Sequence, residues 1–313
     1  MANITASMVK ELREITGAGM MDCKKALTET DGDTEAAIEF LRKKGLMGAE
    51  KKAGRIAAEG IVDTCLSDDD KKAVIVEVNA ETDFVAKNEK FRGFVAEVAK
   101  QALDTEASDM DAFLEEPWKL DTSMTVKEKL SSMISIIGEN MNIRRFRKME
   151  EEGGIIVSYI HAGGKIGVLV DVESDVVNDA VKEMGKNLAM QIAALNPKFT
   201  DRSEVLPDFI NKEKEILKAQ IMNDPKESSK PEKVIEGMIQ GRINKELKDF
   251  VLLDQVYVKA EDGKQTVDKY IAEVAKAQSA NIKIKGFTRF MTGEGIEKKN
   301  EDFAAEVAAQ MNK

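Results

Sequence analysis

Only a few side chains in this sequence are of the types that usually carry out chemistry. The 313 residues include one histidine, His161, and two cysteines, Cys23 and Cys65. Zinc sites built from several histidines and di-iron bundles with paired Glu-x-x-His motifs are therefore excluded. A Ser-His-Asp hydrolase would have to use His161 alone, and Cys23 is expected to be a small core residue of a short helix. We therefore predict a protein that binds rather than catalyses, with no metal and no other cofactor.

Motifs that bind phosphate are also missing, and the charge of the chain is acidic. No Gly-x-x-x-x-Gly-Lys-Ser/Thr loop and no Gly-x-Gly-x-x-Gly after a strand occurs. The net charge of −10 disfavours direct nucleic-acid binding by the whole molecule. One basic stretch, Arg144–Lys148, interleaves cations with an aromatic residue and could grip single-stranded RNA, or it could be an edge strand protected by charge. In such a strand, Arg144 and Arg145 are expected to point to opposite faces.

The first 45 residues are expected to form short helices. The apolar spacing predicts three of them, with breaks at Gly17–Gly19 and Asp31–Asp33 and an end of the third helix at Gly45. About 40 residues are marginal for independent folding, so this unit is expected to have a docking role. Met20 and Met21 follow the first break, where they could either contact a partner or fill the small core.

The next part of the chain repeats one order of elements: strand, strand, helix, spacer, helix, strand. The first copy covers 59–150 and the second covers 151–200 and 254–292, and each predicts a three-stranded antiparallel sheet with helices on one face. The long second spacer, 201–253, has two apolar helical stripes around a polar break, which predicts an inserted antiparallel helical hairpin. We expect this arm to contact a partner or to pair with a second copy of the chain as a homodimer, rather than to pack on its own core.

The sequence therefore predicts an α+β fold with six segments. They are a three-helix module (1–45), a linker that is helical (46–58), an N-terminal core subdomain (59–150), a C-terminal core subdomain (151–200 and 254–292), the inserted hairpin (201–253) and a C-terminal module with a helix (293–313). No apolar run approaches the ~18–20 residues that span a bilayer, and the first residues resemble neither a secretory signal nor an Arg-rich transit peptide. A cytoplasmic location without membrane contact is expected.

The loop after the second strand of the first copy contains an aromatic residue in an unusual place. Phe84 and Val85 directly follow the acidic residues Glu81 and Asp83, in the connection that should cap the next helix. A Phe in a polar connection is either folded back into the core or offered to a partner. The residues alone leave both interpretations open.

Five segments, in this order, make the sequence resemble the elongation factor Ts family over essentially its whole length. They are Thr16–Leu27, Val78–Ala86, Ile137–Asn140, Tyr159–Val170 and Glu294–Lys298. The resemblance implies a nucleotide-exchange factor for the translational GTPase elongation factor Tu, without catalysis of its own. Ala80 stands where many members of the family have Cys, which is an exchange between two small residues.

The resemblance also implies roles for individual residues. The three-helix module would be ubiquitin-associated-like and would dock on the nucleotide domain of the GTPase, while the segment from Thr82 to Val85 would insert there and help displace Mg²⁺. The expected contacts are Thr82, Asp83, Phe84 and Val85 for the displacement of Mg²⁺, and Met20, Met21 and His161 as secondary contacts. Two other functions stay open at this point: an RNA-binding translation protein that uses Arg144–Lys148, and a hydrolase built on His161.

Overall fold

The computed structural model describes residues 4–297, and its first three helices form a small bundle. They are α1 (Ala6–Thr16), α2 (Met20–Glu29) and α3 (Thr34–Lys52). Gly17 ends α1 in a left-handed conformation with φ of 66°, and the Asp33 side chain caps α3 by accepting from the Ala36 N–H. The buried core of the bundle consists of Val9, Leu12, Cys23, Ala26, Leu27 and Ala37. Cys23 is therefore a core residue, as predicted.

The third helix is longer than the sequence predicts. It does not end at Gly45 but continues to Lys52, so residues 46–52 belong to the same helix. Gly45 is buried against α7 (Val126–Ile137), and a Cβ at Gly45 would lie 3.7 Å from the carbonyl oxygen of Ser131. Packing against α7 therefore outweighs the low helix propensity of glycine at this position.

Two three-stranded antiparallel sheets follow, in the duplicated order that the sequence predicts. The first sheet has the order β1 (Glu59–Leu66), β2 (Lys72–Ala80), β5 (Met141–Glu150), and the second has the order β6 (Gly154–His161), β7 (Ile166–Ser174), β8 (Ile282–Met291). The first copy also contains a short hairpin that was not predicted, β3 (Pro117–Trp118) with β4 (Asp121–Thr125). The other helices of the two copies are α4 (Asp83–Ala86), α5 (Glu89–Leu103) and α6 (Met110–Glu115) in the first, and α8 (Asp179–Leu195) and α12 (Val267–Gln278) in the second.

The two sheets pack face to face, and the helices cover their outer faces. Alternate residues of β2 (Val74, Val76 and Val78) belong to the core shared with α5 and α7. The core between the sheets consists of Val62, Ala73, Ile75, Ile156, Leu169 and Phe290. Gly167 of β7 allows the close approach, because a Cβ there would lie 2.5 Å from Cγ1 of Val62. The middle strands are therefore covered on both faces, which accounts for their nearly continuous apolar sequences.

The inserted segment forms the predicted antiparallel helical hairpin. Helices α9 (Pro207–Asn223) and α11 (Glu232–Phe250) pack along a stripe of Leu217, Ile221, Ile235, Ile239 and Ile243, and the short helix α10 (Pro225–Ser228) lies between them. In the part of the chain that is described, no helix has the length and apolar character needed to cross a membrane. The predicted C-terminal helix lies outside the described residues.

Candidate partner-binding site

Phe84 is exposed on a short helical turn whose neighbouring residues are buried. Thr82 caps α4, since its Oγ1 accepts a hydrogen bond from the Val85 N–H at 3.3 Å. Val85 and Ala86 lie in the core of the first copy, whereas the side chain of Phe84 is 80% exposed. The structure therefore decides between the two interpretations left by the sequence: Phe84 does not fold back into its own core.

The other residues of this segment support the exposed ring. Asp83 accepts a hydrogen bond from Lys87 at 2.6 Å, one helical turn along the chain. This bond and the positive charges of Lys87 and Lys165 lower the pKa of Asp83, so its carboxylate is charged at neutral pH. Val85 was expected to contact a partner, but it is only 8% exposed. Val85 packs into the core of the first copy.

His161 is the last residue of β6 and precedes a hairpin turn that is attached to the same part of the molecule. The turn joins β6 to β7, and the Val62 N–H of β1 donates to the Gly164 carbonyl at 2.7 Å. Arg92 of α5 donates to the carbonyls of Ala86, at 3.2 Å, and Gly163, at 3.1 Å. Arg92 therefore links the hairpin turn after His161 to the end of α4, the helix that carries Phe84.

The imidazole of His161 is exposed and has a hydroxyl neighbour. Its Nδ1 lies 2.9 Å from the Tyr159 hydroxyl, and the two rings are tilted at 37° with centroids 5.8 Å apart. An exposed imidazole beside a phenol can make a polar contact with another protein. Within residues 4–297, no cluster of three or more His, Cys, Asp or Glu side chains could hold a metal ion.

Met20 and Met21 are exposed at the start of α2. Their exposed fractions are 59% and 74%, and neither belongs to the buried core of the bundle. The interpretation that they fill the small core is therefore wrong. A groove of about 490 Å³ is lined by Gly19, which precedes α2, and by Lys90 of α5. The residue just before the two methionines thus borders the same groove as the start of α5, which directly follows the Phe84 segment.

The basic stretch Arg144–Lys148 lies in an edge strand, but its first two arginines do not point to opposite faces as predicted. The register between β2 and β5 shifts at Glu77, so that Arg144 is an extra residue in β5. Both arginines bond to the Glu77 carboxylate, Arg144 at 3.0 Å and Arg145 at 2.6 Å. Two of the basic side chains that could bind RNA, Arg144 and Arg145, are therefore bonded to a buried carboxylate of the protein itself.

Arg144 and Arg145 neutralise the charge of a buried carboxylate, that of Glu77. Its side chain is fully buried between the two sheets, which acts to raise its pKa. The Gly293 N–H at 2.8 Å, the Asn79 amide and Arg145 outweigh the burial and lower the pKa of Glu77. The carboxylate is thus charged and neutralised inside the molecule, as a buried ion has to be.

Two residues at this site were not singled out from the sequence: Arg92, and Glu139 in the loop between α7 and β5. Glu139 accepts hydrogen bonds from both the N–H and the hydroxyl of Thr82. The segment Ile137–Asn140 carries part of the family resemblance, but it gave no indication of this contact. No local signal could have pointed to this contact, because its two residues lie 57 positions apart in the sequence.

Comparison with known proteins identifies the family to which the chain belongs. The sequence model of the family described as "Elongation factor TS" matches residues 81–294. Elongation factor Ts of Clostridium tetani (strain Massachusetts / E88) is 54% identical over 98% of this chain and 99% of the relative. Elongation factor Ts of Clostridium novyi (strain NT) is 52% identical over 99% of each chain, and that of Clostridium botulinum (strain Eklund 17B / Type B) is 53% identical over 99% of this chain and 100% of the relative. The chain therefore belongs to the elongation factor Ts family of translation elongation factors.

Proposed function

We propose that this chain is a guanine-nucleotide exchange factor that binds elongation factor Tu with GDP and promotes GDP release and GTP loading. The observation that carries the proposal is the exposed ring of Phe84 on a turn held by buried neighbours. Large aromatic side chains exposed on a supported segment are typical anchors of protein interfaces. The family to which the chain belongs supports the choice of partner.

Such a factor needs no residue that makes or breaks bonds. A protein that binds the nucleotide-free GTPase more tightly than the loaded one must weaken nucleotide binding by the same factor, because coupling between two ligands is reciprocal. Each tenfold loss of nucleotide affinity corresponds to about 1.4 kcal/mol of this coupling. Burial of the Phe84 ring in the partner can supply roughly 1.5–3 kcal/mol before the costs of binding.

The residues of the segment Thr82–Val85 have two different roles in this proposal. Phe84 inserts at the nucleotide domain and disturbs the surroundings of Mg²⁺, while Thr82, Asp83 and Val85 hold the turn in place. The contacts that favour this division are the cap from Thr82, the ion pair of Asp83 with Lys87 and the burial of Val85.

Further contact patches are expected, because the factor must open a tight site. Met20 and Met21 in the three-helix module (1–45) form one patch, and His161 forms another. The inserted hairpin (201–253) and the C-terminal module (293–313) are candidates for more, and the hairpin could instead pair two copies of the chain. We expect a total interface well above ~1,600 Å².

The test is the release of labelled GDP from elongation factor Tu. We expect fast release with the wild-type chain and at least roughly tenfold slower release with Phe84→Ala, which is the scale of losing one anchor. Leu120→Ala is the matched control, because Leu120 is a large apolar residue that is 70% exposed on the turn between β3 and β4. Release that is absent with the wild type, or unchanged in Phe84→Ala, would contradict the proposal.

A further inference from the structure

Two loops beside the Phe84 segment exchange hydrogen bonds between carboxylates and amides. Glu139 accepts from the Thr82 N–H at 3.0 Å and from the Thr82 hydroxyl at 2.7 Å. In the opposite direction, Glu81 accepts from the Asn140 N–H at 2.5 Å. Hydrogen bonds to an ionised carboxylate are stronger than those between neutral groups. These three bonds, which we call the Glu81–Glu139 clamp, join the loop after β2 to the loop before β5.

Thr82 connects the clamp to the turn that carries Phe84. Its hydroxyl donates to Glu139 and at the same time accepts from the Val85 N–H, so Glu139 fixes the hydroxyl in the orientation that caps α4. This helix has only four residues, which is too short to be stable by itself. Because the ring of Phe84 is 80% exposed, it contributes little to holding its own turn.

The clamp also explains why Glu139 is not itself free to contact a partner. Both of its carboxylate oxygens are engaged by Thr82, and its side chain is half-buried. Glu81 is held in a similar way, because its Oε1 also accepts from Arg55 at 3.3 Å. The two acids therefore act on the shape of the segment rather than on a surface beyond it.

We propose that Glu139 is a positioning residue for nucleotide exchange, which holds Phe84 in the conformation that the GTPase receives. This inference rests on the proposed exchange function. A segment that is ordered before binding loses less conformational freedom when it inserts. The clamp would therefore govern the step in which the nucleotide is displaced. Its loss should lower the maximal rate of GDP release and leave the factor concentration for half-maximal rate nearly unchanged, since the other patches set that concentration.

The variants are Glu139→Ala, which removes the clamp at Thr82, and Glu139→Gln, which keeps an acceptor for the Thr82 N–H. Glu150→Ala is the matched control, because Glu150 is an exposed carboxylate of β5 that pairs only with exposed Lys72 among the described residues. Labelled GDP release from elongation factor Tu is measured over a range of factor concentrations. We expect a maximal rate about tenfold lower for Glu139→Ala, the scale of one hydrogen bond to a charged group. We expect Glu139→Gln to stay within about threefold of the wild type, and Glu150→Ala to equal it.

A second measurement needs no GTPase. The Val85 N–H donates to the Thr82 hydroxyl, so its hydrogen exchange should be about tenfold faster in Glu139→Ala, while amides in the middle of α5 keep their wild-type rates. If Glu139→Ala does not fold, Thr82→Val removes the one hydroxyl bond of the clamp together with the cap on Val85, and its maximal rate of GDP release is measured instead.

The results of these two measurements test the role of the clamp and the exchange function separately. An unchanged maximal rate, or unchanged exchange at Val85, would overturn the inference. A slower rate that is fully restored by raising the factor concentration would also overturn it, since Glu139 would then support binding only. A wild-type chain that releases no GDP would refute the proposed function, and the exchange rate at Val85 would still decide whether the clamp orders the segment.

Discussion

The pH dependence of unfolding should depend on one buried carboxyl group, Asp171. Asp171 is the counterpart of Glu77, because each lies where the middle strand of its sheet shifts register against the third strand. Within residues 4–297 no arginine bonds to Asp171, and its neighbour is a second buried acid, Glu151, which pairs with Lys285 at 2.8 Å. Burial, together with the hydrogen bond and the charge of Glu151, raises the pKa of Asp171 to about 7, and the charge of Glu173 acts in the same direction.

The pKa values of Asp171 and Glu151 shift in opposite directions. Burial acts to raise the pKa of Glu151, but the bonds from Asp171, Lys285 and the Gly153 N–H outweigh it and lower this pKa. Between about pH 5 and pH 6.5, folded Asp171 keeps a proton that the unfolded chain, with an ordinary pKa of 3.8, has lost. The folded state binds more protons, so the free energy of unfolding falls as the pH rises. A difference of one bound proton between the folded and unfolded states changes the free energy of unfolding by about 1.4 kcal/mol per pH unit. Over this range the change is about 2 kcal/mol.

The assay is urea unfolding followed by circular dichroism, for the wild type and for Asp171→Asn. The amide of asparagine can donate to Glu151 but has no proton to lose, so the difference in stability between the two proteins should change by about 2 kcal/mol between about pH 5 and pH 6.5. Groups whose surroundings the substitution leaves unchanged contribute equally to both proteins and cancel in this comparison. Asp175→Asn is the control, because the Asn281 N–H and amide lower the pKa of Asp175 and place its titration below this range. Parallel pH curves for the wild type and Asp171→Asn would refute the reasoning.

Three further changes test the rest of the structure. Glu77→Ala should lower the free energy of unfolding by about 3–5 kcal/mol in urea titrations, because it leaves two arginine side chains near the buried interface without their carboxylate; a loss below about 1 kcal/mol would contradict the assigned role of Glu77. Gly167→Ala should cost about 1–3 kcal/mol, since its Cβ would lie 2.5 Å from Val62, and an unchanged melting temperature would contradict the close packing of the sheets. His161→Ala should weaken the complex with elongation factor Tu, measured by titration calorimetry, without changing the melting temperature, because the imidazole is exposed; a complex of wild-type affinity would remove His161 from the proposed surface.

The parts of the fold that depend on local periodicity could be predicted from the sequence. The presence of three helices in the first segment, of the two copies of the sheet and of the helical hairpin follows from apolar spacing and breaks over ten to twenty residues. The end of α3 could not be predicted in this way. Gly45 and its basic neighbours have the pattern of a helix end, but the surface of α7, some 80 residues further along the chain, keeps the helix continuous.

The sequence pointed to a candidate site but not to the contacts that hold it in place. The resemblance pointed to Thr82–Val85, yet only the fold reveals that Phe84 is exposed while Val85 is buried. The bond from Thr82 to Glu139 joins residues 57 positions apart, and the shift of β5 at Arg144 depends on its partner strand. Neither feature has a local signal, because each is determined by packing between distant segments.

The unbroken course of α3 has a consequence for how a partner is chosen. Its 19 residues form a rod about 28 Å long, which begins in the bundle and rests on α7. Arg42 fastens it further, by donating to the carbonyl of Ser123 at 3.0 Å and to its hydroxyl at 2.8 Å. The separation between the two methionines and Phe84 is therefore set before any partner arrives. If the methionines and Phe84 contact the partner as proposed, a protein whose receiving pockets were spaced differently would have to bend a helix or break these bonds. We therefore expect this molecule to select its partner by distance as well as by chemistry.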